Sequence, residues 1–102
     1  MTQINIEVPH FMTKDAAIGV IKRALDKELL NYQKHITNLR QTWTSDAGKI
    51  YFEYNRLKCT VDIYCSNVQV ALNASLPFAL IIFKRKIEDA VRSRLVNLFS
   101  SH

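Results

Sequence analysis

Apolar and polar residues alternate at the start of the chain, with Ile4, Ile6 and Val8 set against Gln3, Asn5 and Glu7. This period of two predicts a strand with one buried face, closed by Pro9. The spacing then changes to threes and fours through Ala17/Ile18, Ile21, Ala24/Leu25, Leu29 and Tyr32. That change predicts a helix from Lys14 to Lys34, with Thr13 as its N-cap and Asp15 near the positive end of its dipole. Gly19 either weakens this helix or lets another element approach closely.

Four strands are predicted next. Leu39 to Trp43 is the first, stopped by the turn signal Ser45-Asp46-Ala47-Gly48. Ile50, Phe52 and Tyr54 alternate with Tyr51 and Glu53, and a weaker turn follows at Asn55-Arg56-Leu57-Lys58. Cys59, Val61, Ile63 and Cys65 alternate with Thr60, Asp62 and Tyr64 before a turn at Ser66-Asn67. Val68, Val70, Leu72 and Ala74 then alternate with Gln69, Ala71 and Asn73. Connections this short require antiparallel neighbours. Pro77 is placed to open a last helix, whose core stripe is predicted at Leu80, Phe83, Ile87, Val91, Leu95 and Leu98.

The order β-α-β-β-β-β-α defines an α+β domain spanning residues 1–102 as one unit. Each strand has one apolar and one mixed face, so both helices are expected on one side of an antiparallel sheet. Placing the first strand beside the last gives the spatial order 1-5-4-3-2. By analogy this is a reduced helix-grip arrangement, in which a sheet curls around a long C-terminal helix.

One stretch breaks the amphipathic pattern. Phe78 to Phe83 are six consecutive apolar residues, followed at once by Lys84, Arg85 and Lys86. A helix packed on one face needs apolar groups on one stripe only. Phe78, Ala79, Ile81 and Ile82 are therefore left over once Leu80 and Phe83 are assigned to the core. Either the first turn is buried all round within a curled sheet, or it meets an apolar surface or a partner outside the monomer. Phe78, Ile81 and Ile82 are the candidate apolar contacts, and Lys84, Arg85 and Lys86 the candidate electrostatic rim.

Composition narrows the remaining chemistry. The chain has 48% hydrophobic and 23% charged residues with two Gly and two Pro, a composition of folded domains. The N-terminus lacks a basic region followed by an apolar stretch, and no apolar run approaches the ~20 residues that span a bilayer, so a soluble cytoplasmic protein is expected. The net charge of +5 raises a nucleic-acid reading. However, Lys22/Asp26, Glu88/Arg92 and Arg85/Asp89 fall at i,i+4 spacing, the mark of solvated helix faces with local ion pairs. Tyr51 and Tyr64 should project from the outer sheet face, where Glu53 and Asp62 would repel phosphate; a dimer contact is favoured there over nucleic acid.

Cys59 and Cys65 lie about 20 Å apart along a strand, beyond disulfide reach, and read as buried thiols. His10 is either an acid/base at a pocket mouth or a side chain bonded to backbone that shapes the junction, and the second reading is favoured. His35 and His102 are expected to be exposed. Three His so dispersed give no metal site. Glu53 and Asp62 are a candidate carboxylate pair, weighed against a solvated face with Lys and Arg nearby. No nucleophile elbow, phosphate-binding glycine loop or dinucleotide fingerprint is present. No cofactor or catalytic residue is expected.

With these elements in place the chain resembles the polyhydroxyalkanoic acid system protein family, small proteins associated with polyester granule gene regions. The resemblance rests on Ile4-x-Ile6 with His10 after it, the Ala16/Ala17 helix, Trp43 before the hairpin at Phe52, and Val68-x-Val70. It continues through Leu76-Pro77-Phe78, Phe83-Lys84 and Ile87-Glu88. One departure is Leu57-Lys58-Cys59, where the resemblance leads to a glycine. It implies gene context with polyester synthesis and granule proteins, and assigns no reaction and no catalytic residue. The expectation is a noncatalytic accessory protein whose partner is a polyester granule surface or granule protein. The alternatives are a homodimeric domain and a carrier of a small apolar ligand.

Overall fold

A computed structural model describes residues 2–100, and the side chains of residues 3–100. His102 lies outside the described residues. The elements are β1 (Thr2–Pro9), α1 (Lys14–Asn31), β2 (Ile36–Trp43), β3 (Ala47–Tyr54), β4 (Leu57–Cys65) and β5 (Gln69–Leu76). A 3₁₀ segment (Phe78–Phe83) and α2 (Lys84–Ser100) complete the chain. The class is α+β, and the five strands form one antiparallel sheet in the expected order β1-β5-β4-β3-β2.

Register explains which residues are buried. Ile6 lies opposite Leu72, and Leu72 opposite Ile63, so these three share a face. The same face carries Ile4, Val8, Val70, Ala74, Cys59, Cys65 and Ile50, all buried in one core cluster. Ala17, Val20 and Ile21 of α1 join that cluster, as do Leu95 and Phe99 of α2. Both helices therefore cover one side, as the alternation required. The other side carries Glu7, Lys49, Glu53, Lys58, Asp62 and Tyr64 and stays open to water.

Several boundaries differ from the sequence reading. α1 stops at Asn31, not Lys34, because Tyr32 caps it through its N–H to the Leu29 carbonyl and is itself exposed. Gly19 has no close neighbour; an added Cβ would meet only Arg23 of its own helix, at 3.4 Å. β2 begins at Ile36, three residues early, and absorbs an irregularity between Thr37 and Arg40 with Asn38 at φ 53°. Local periodicity is lost across such a bulge, which hid the start of the strand.

Gly48 sits inside β3, not in the turn, directly opposite Trp43. A Cβ there would come within 2.4 Å of the indole, so the ring lies flat on a position only glycine leaves open. The β3–β4 hairpin closes on Asn55 and Arg56, at φ 49° and 71°. Two left-handed residues are what a tight right-twisted hairpin demands, and Asn tolerates this better than Arg.

The largest correction concerns the last helix. Pro77 opens a 3₁₀ segment, with the Leu80 N–H bonded to the Pro77 carbonyl at 3.0 Å, and α2 starts only at Lys84. A 3₁₀ turn advances about 120° per residue against about 100° in an α-helix. Over six residues the frame turns by about 120° relative to a continuous helix. Phe83, predicted in the core stripe, is consequently exposed, and Leu80 is only half-buried. Further along, Phe99 is buried where Leu98 was expected to be, with Ile87, Val91 and Leu98 packed on the core margin.

Candidate functional site

The 3₁₀ segment has no buried residue. Phe78 is 69% exposed, Ile81 50%, Ile82 80% and Phe83 46%. Three residues per turn place Phe78 in line with Ile81, and Ala79 in line with Ile82. Two of the three ridges of the segment thus face water, and only the ridge headed by Leu80 turns partly inward. The first turn is not enclosed by the sheet, because the strand it follows, β5, lies next to the edge strand β1, where nothing further can wrap round it. Beside it a shallow groove lined by Phe83, Lys86, Ile87 and Ala90 continues the apolar surface along α2.

Lys84, Arg85 and Lys86 are all exposed and form the first turn of α2, which contains no acidic residue. They follow the 3₁₀ segment without a break, the Lys84 N–H bonding the Ile81 carbonyl. Among the described residues the ion pairs are Arg92–Asp89 and Arg94–Glu28, so Arg85 does not pair with Asp89 and Glu88 does not pair with Arg92. Lys22 lies over the Trp43 ring at 5.6 Å and does not bridge to Asp26. Among the described residues the rim cations have no ion pair.

The other candidates resolve differently. His10 is 3% exposed. Its Nδ1 accepts from the Met12 N–H at 3.2 Å, so Nε2 carries the proton and donates to the Ser66 carbonyl at 2.8 Å. The ring also stacks obliquely on Phe99 at 5.6 Å. Both nitrogens are thus committed to backbone, and the side chain fastens the β1–α1 junction to the β4–β5 turn. His35 is exposed, as expected.

Glu53 and Asp62 share the outer face on adjacent strands but are not brought together. Glu53 lies opposite Lys58, and Asp62 opposite Lys49. Glu53 instead accepts from Asn38 at 2.6 Å and from the Tyr51 hydroxyl at 3.3 Å. Partial burial and the Glu53 charge hold the Tyr51 phenol above its usual range, with Arg40 over the ring opposing them. Cys59 and Cys65 are free and buried. Burial raises the Cys59 thiol, and burial with the Asp46 charge pushes Cys65 up to about 11. Among the described residues no group of three or more His, Cys, Asp or Glu is arranged to hold a metal.

One exposed group was not singled out from the sequence. Phe11 stands fully in solvent at the opposite end of α2 and borders an open cleft of about 430 Å³ with Val8, Pro9, Val96, Phe99 and Ser100. Its position just after Pro9-His10, outside any periodic run, was the available signal.

Comparisons with family profiles, curated proteins and solved structures return no match for this chain. Among the described residues no helix is long and apolar enough to cross a membrane.

Proposed function

We propose that this chain is a noncatalytic accessory protein of polyester granules, which attaches to an apolar surface through the start of its last helix. The observation that carries the reading is the solvent-exposed run Phe78, Ile81, Ile82 and Phe83, followed by three cations that form no ion pair among the described residues. Burying Phe78 and Ile82 on such a surface would contribute at most about 1.5–3 kcal/mol each. The polyester itself enters through the resemblance in Leu76-Pro77-Phe78, Phe83-Lys84 and Ile87-Glu88.

Cosedimentation with polyhydroxyalkanoate particles tests this directly. Wild-type protein is expected in the pellet. Ile82→Asp is expected in the supernatant with an unchanged circular dichroism spectrum, since the side chain it replaces is exposed. Wild-type protein that stays in solution would remove the granule role.

A homodimer is the second reading, and the geometry of β1 favours it. The His10 N–H bonds the Val68 carbonyl, so in the β1–β5 ladder the even-numbered residues of β1 turn their backbone groups toward β5. Those of Gln3, Asn5 and Glu7 point to the open edge, where a second β1 could pair. Sedimentation velocity of wild type and Asn5→Pro distinguishes the two readings. A dimer abolished by Asn5→Pro but unaffected by Ile82→Asp would place self-association at the edge strand.

A further inference from the structure

The fold gathers five cations at one end of the molecule from three segments far apart in sequence. Thr60 pairs with Ser75, and the same register carried onward brings Leu57 level with Phe78. Leu57 pairs with Tyr54, and Tyr54 with Ile36, so the β3–β4 hairpin tip and the α1–β2 junction share that level. The Asn55 N–H bonds the His35 carbonyl at 3.0 Å, which joins those two connections directly. Residues 29–35, 54–57 and 76–87 make up this end. They contain Lys34, Arg56, Lys84, Arg85 and Lys86 and no Asp or Glu. They also contain the exposed Leu30 and Tyr32, in addition to the 3₁₀ residues.

The opposite end has no such bias. Residues 9–14, 43–47, 65–69 and 96–100 carry only Lys14 and Asp46 as fixed charges. Counted over these segments the charge is +5 at one end and 0 at the other, with Glu28, Glu53, Glu88 and Asp89 bordering the cationic segments. Exposed apolar side chains at the same end as cations that form no ion pair among the described residues match an interface that is hydrocarbon inside and anionic at its rim. A nucleic acid would use the cations but leave Phe78, Ile81, Ile82 and Leu30 in solvent. A bare polyester would use the apolar groups and leave the cations idle.

We infer that this whole end docks on an anionic phospholipid surface, with the 3₁₀ segment inserted and Lys34 and Arg56 adding a second set of headgroup contacts beside Lys84–Lys86. The inference rests on the reading that the Phe78–Phe83 end is the binding end, and it names the chemistry of the surface met there.

Flotation with phosphatidylcholine vesicles, with and without phosphatidylglycerol, tests it, with bare polyester particles as a parallel arm. Wild type is expected to float only with phosphatidylglycerol present and to be released by raised salt. The double variant Lys34→Ser/Arg56→Ser should partition about thirty-fold more weakly, yet bind bare polyester as wild type does. Both positions are exposed, so an unchanged circular dichroism spectrum and denaturant midpoint are expected of the variant.

Polyester binding without any vesicle binding would overturn the lipid inference and leave the proposed function standing. Equal binding to neutral vesicles, or an unaffected double variant, would overturn the assignment of Lys34 and Arg56. Salt-sensitive binding to single-stranded DNA in place of vesicles would overturn it in favour of a polynucleotide.

Discussion

Single residues show how far the fold tolerates unfavourable local geometry. Arg56 holds φ at 71° in the β3–β4 hairpin, a region that costs an L-residue with a Cβ roughly 1–2 kcal/mol. Arg56→Gly is expected to raise stability by about 1 kcal/mol, seen as a higher urea midpoint with an unchanged slope. Cys65 gives a pH prediction of definite sign. Its folded-state pKa of about 11 lies above the unfolded value, so between roughly pH 9 and 11 the folded chain keeps a proton that the unfolded chain has lost. The stabilisation is full below that window and lost as pH rises through it. Cys65→Ala should flatten the alkaline fall in stability, with Cys59 and Tyr51, both raised as well, supplying what remains.

Residue-level chemistry was partly legible without a structure. The alternation Cys59-Val61-Ile63-Cys65 was enough to place both thiols inside, because a continuous strand keeps them apart. The engagement of His10 was only one of two readings. Its partners Ser66 and Met12 could not be chosen until the β4–β5 turn was known to lie beside it.

At the scale of elements, the last helix divides into two parts with different physical roles. The part from Ile87 onward packs by ordinary amphipathic spacing, and Leu95 and Phe99 fill the core. Leu95→Ala should cost about 2–5 kcal/mol in denaturant unfolding. The first turn behaves in the opposite sense. Replacing Lys84, Arg85 and Lys86 together by Ser changes only exposed side chains and should leave the helix intact. The same variant should lose salt-sensitive surface binding. Together the two variants separate what holds the fold from what that end is used for.

The sequence reading of this element was right about its inward stripe from Ile87 onward and wrong about Phe83. Pro77 does start a helical segment, and Phe78–Phe83 is its apolar part. Phe83 is exposed in the 3₁₀ segment, while Phe99, four residues after Leu95 on the same stripe, takes the core place expected of Leu98.

For the whole molecule, one sheet face is covered by two helices that touch each other through the Arg94–Glu28 ion pair. Arg94 is 66% exposed and Glu28 35%, so the pair should contribute only about 0.2–1 kcal/mol. A double-mutant cycle with Arg94→Ala and Glu28→Ala should return a coupling in that range that shrinks with added salt. A larger, salt-independent coupling would mean that the helices depend on this contact for their placement, which the core residues Ala17, Ile21, Leu95 and Phe99 argue against.

By itself the sequence determined the α+β class, the element order and the antiparallel run of the last four strands, while the place of β1 beside β5 was an expectation that the structure bears out. Alternation fixes which side of each strand is apolar, and connections of two to four residues allow only antiparallel neighbours. It also determined that Phe78–Phe83 exceeds what one packed face requires. Whether that surplus was buried or exposed depended on the sheet stopping at β1 and on the 3₁₀ turn after Pro77, both matters of long-range packing. That Lys34, Arg56 and Lys84–Lys86 lie at the same end of the sheet was decided only by the tertiary structure, since strand register sets the level of segments so far apart in the chain.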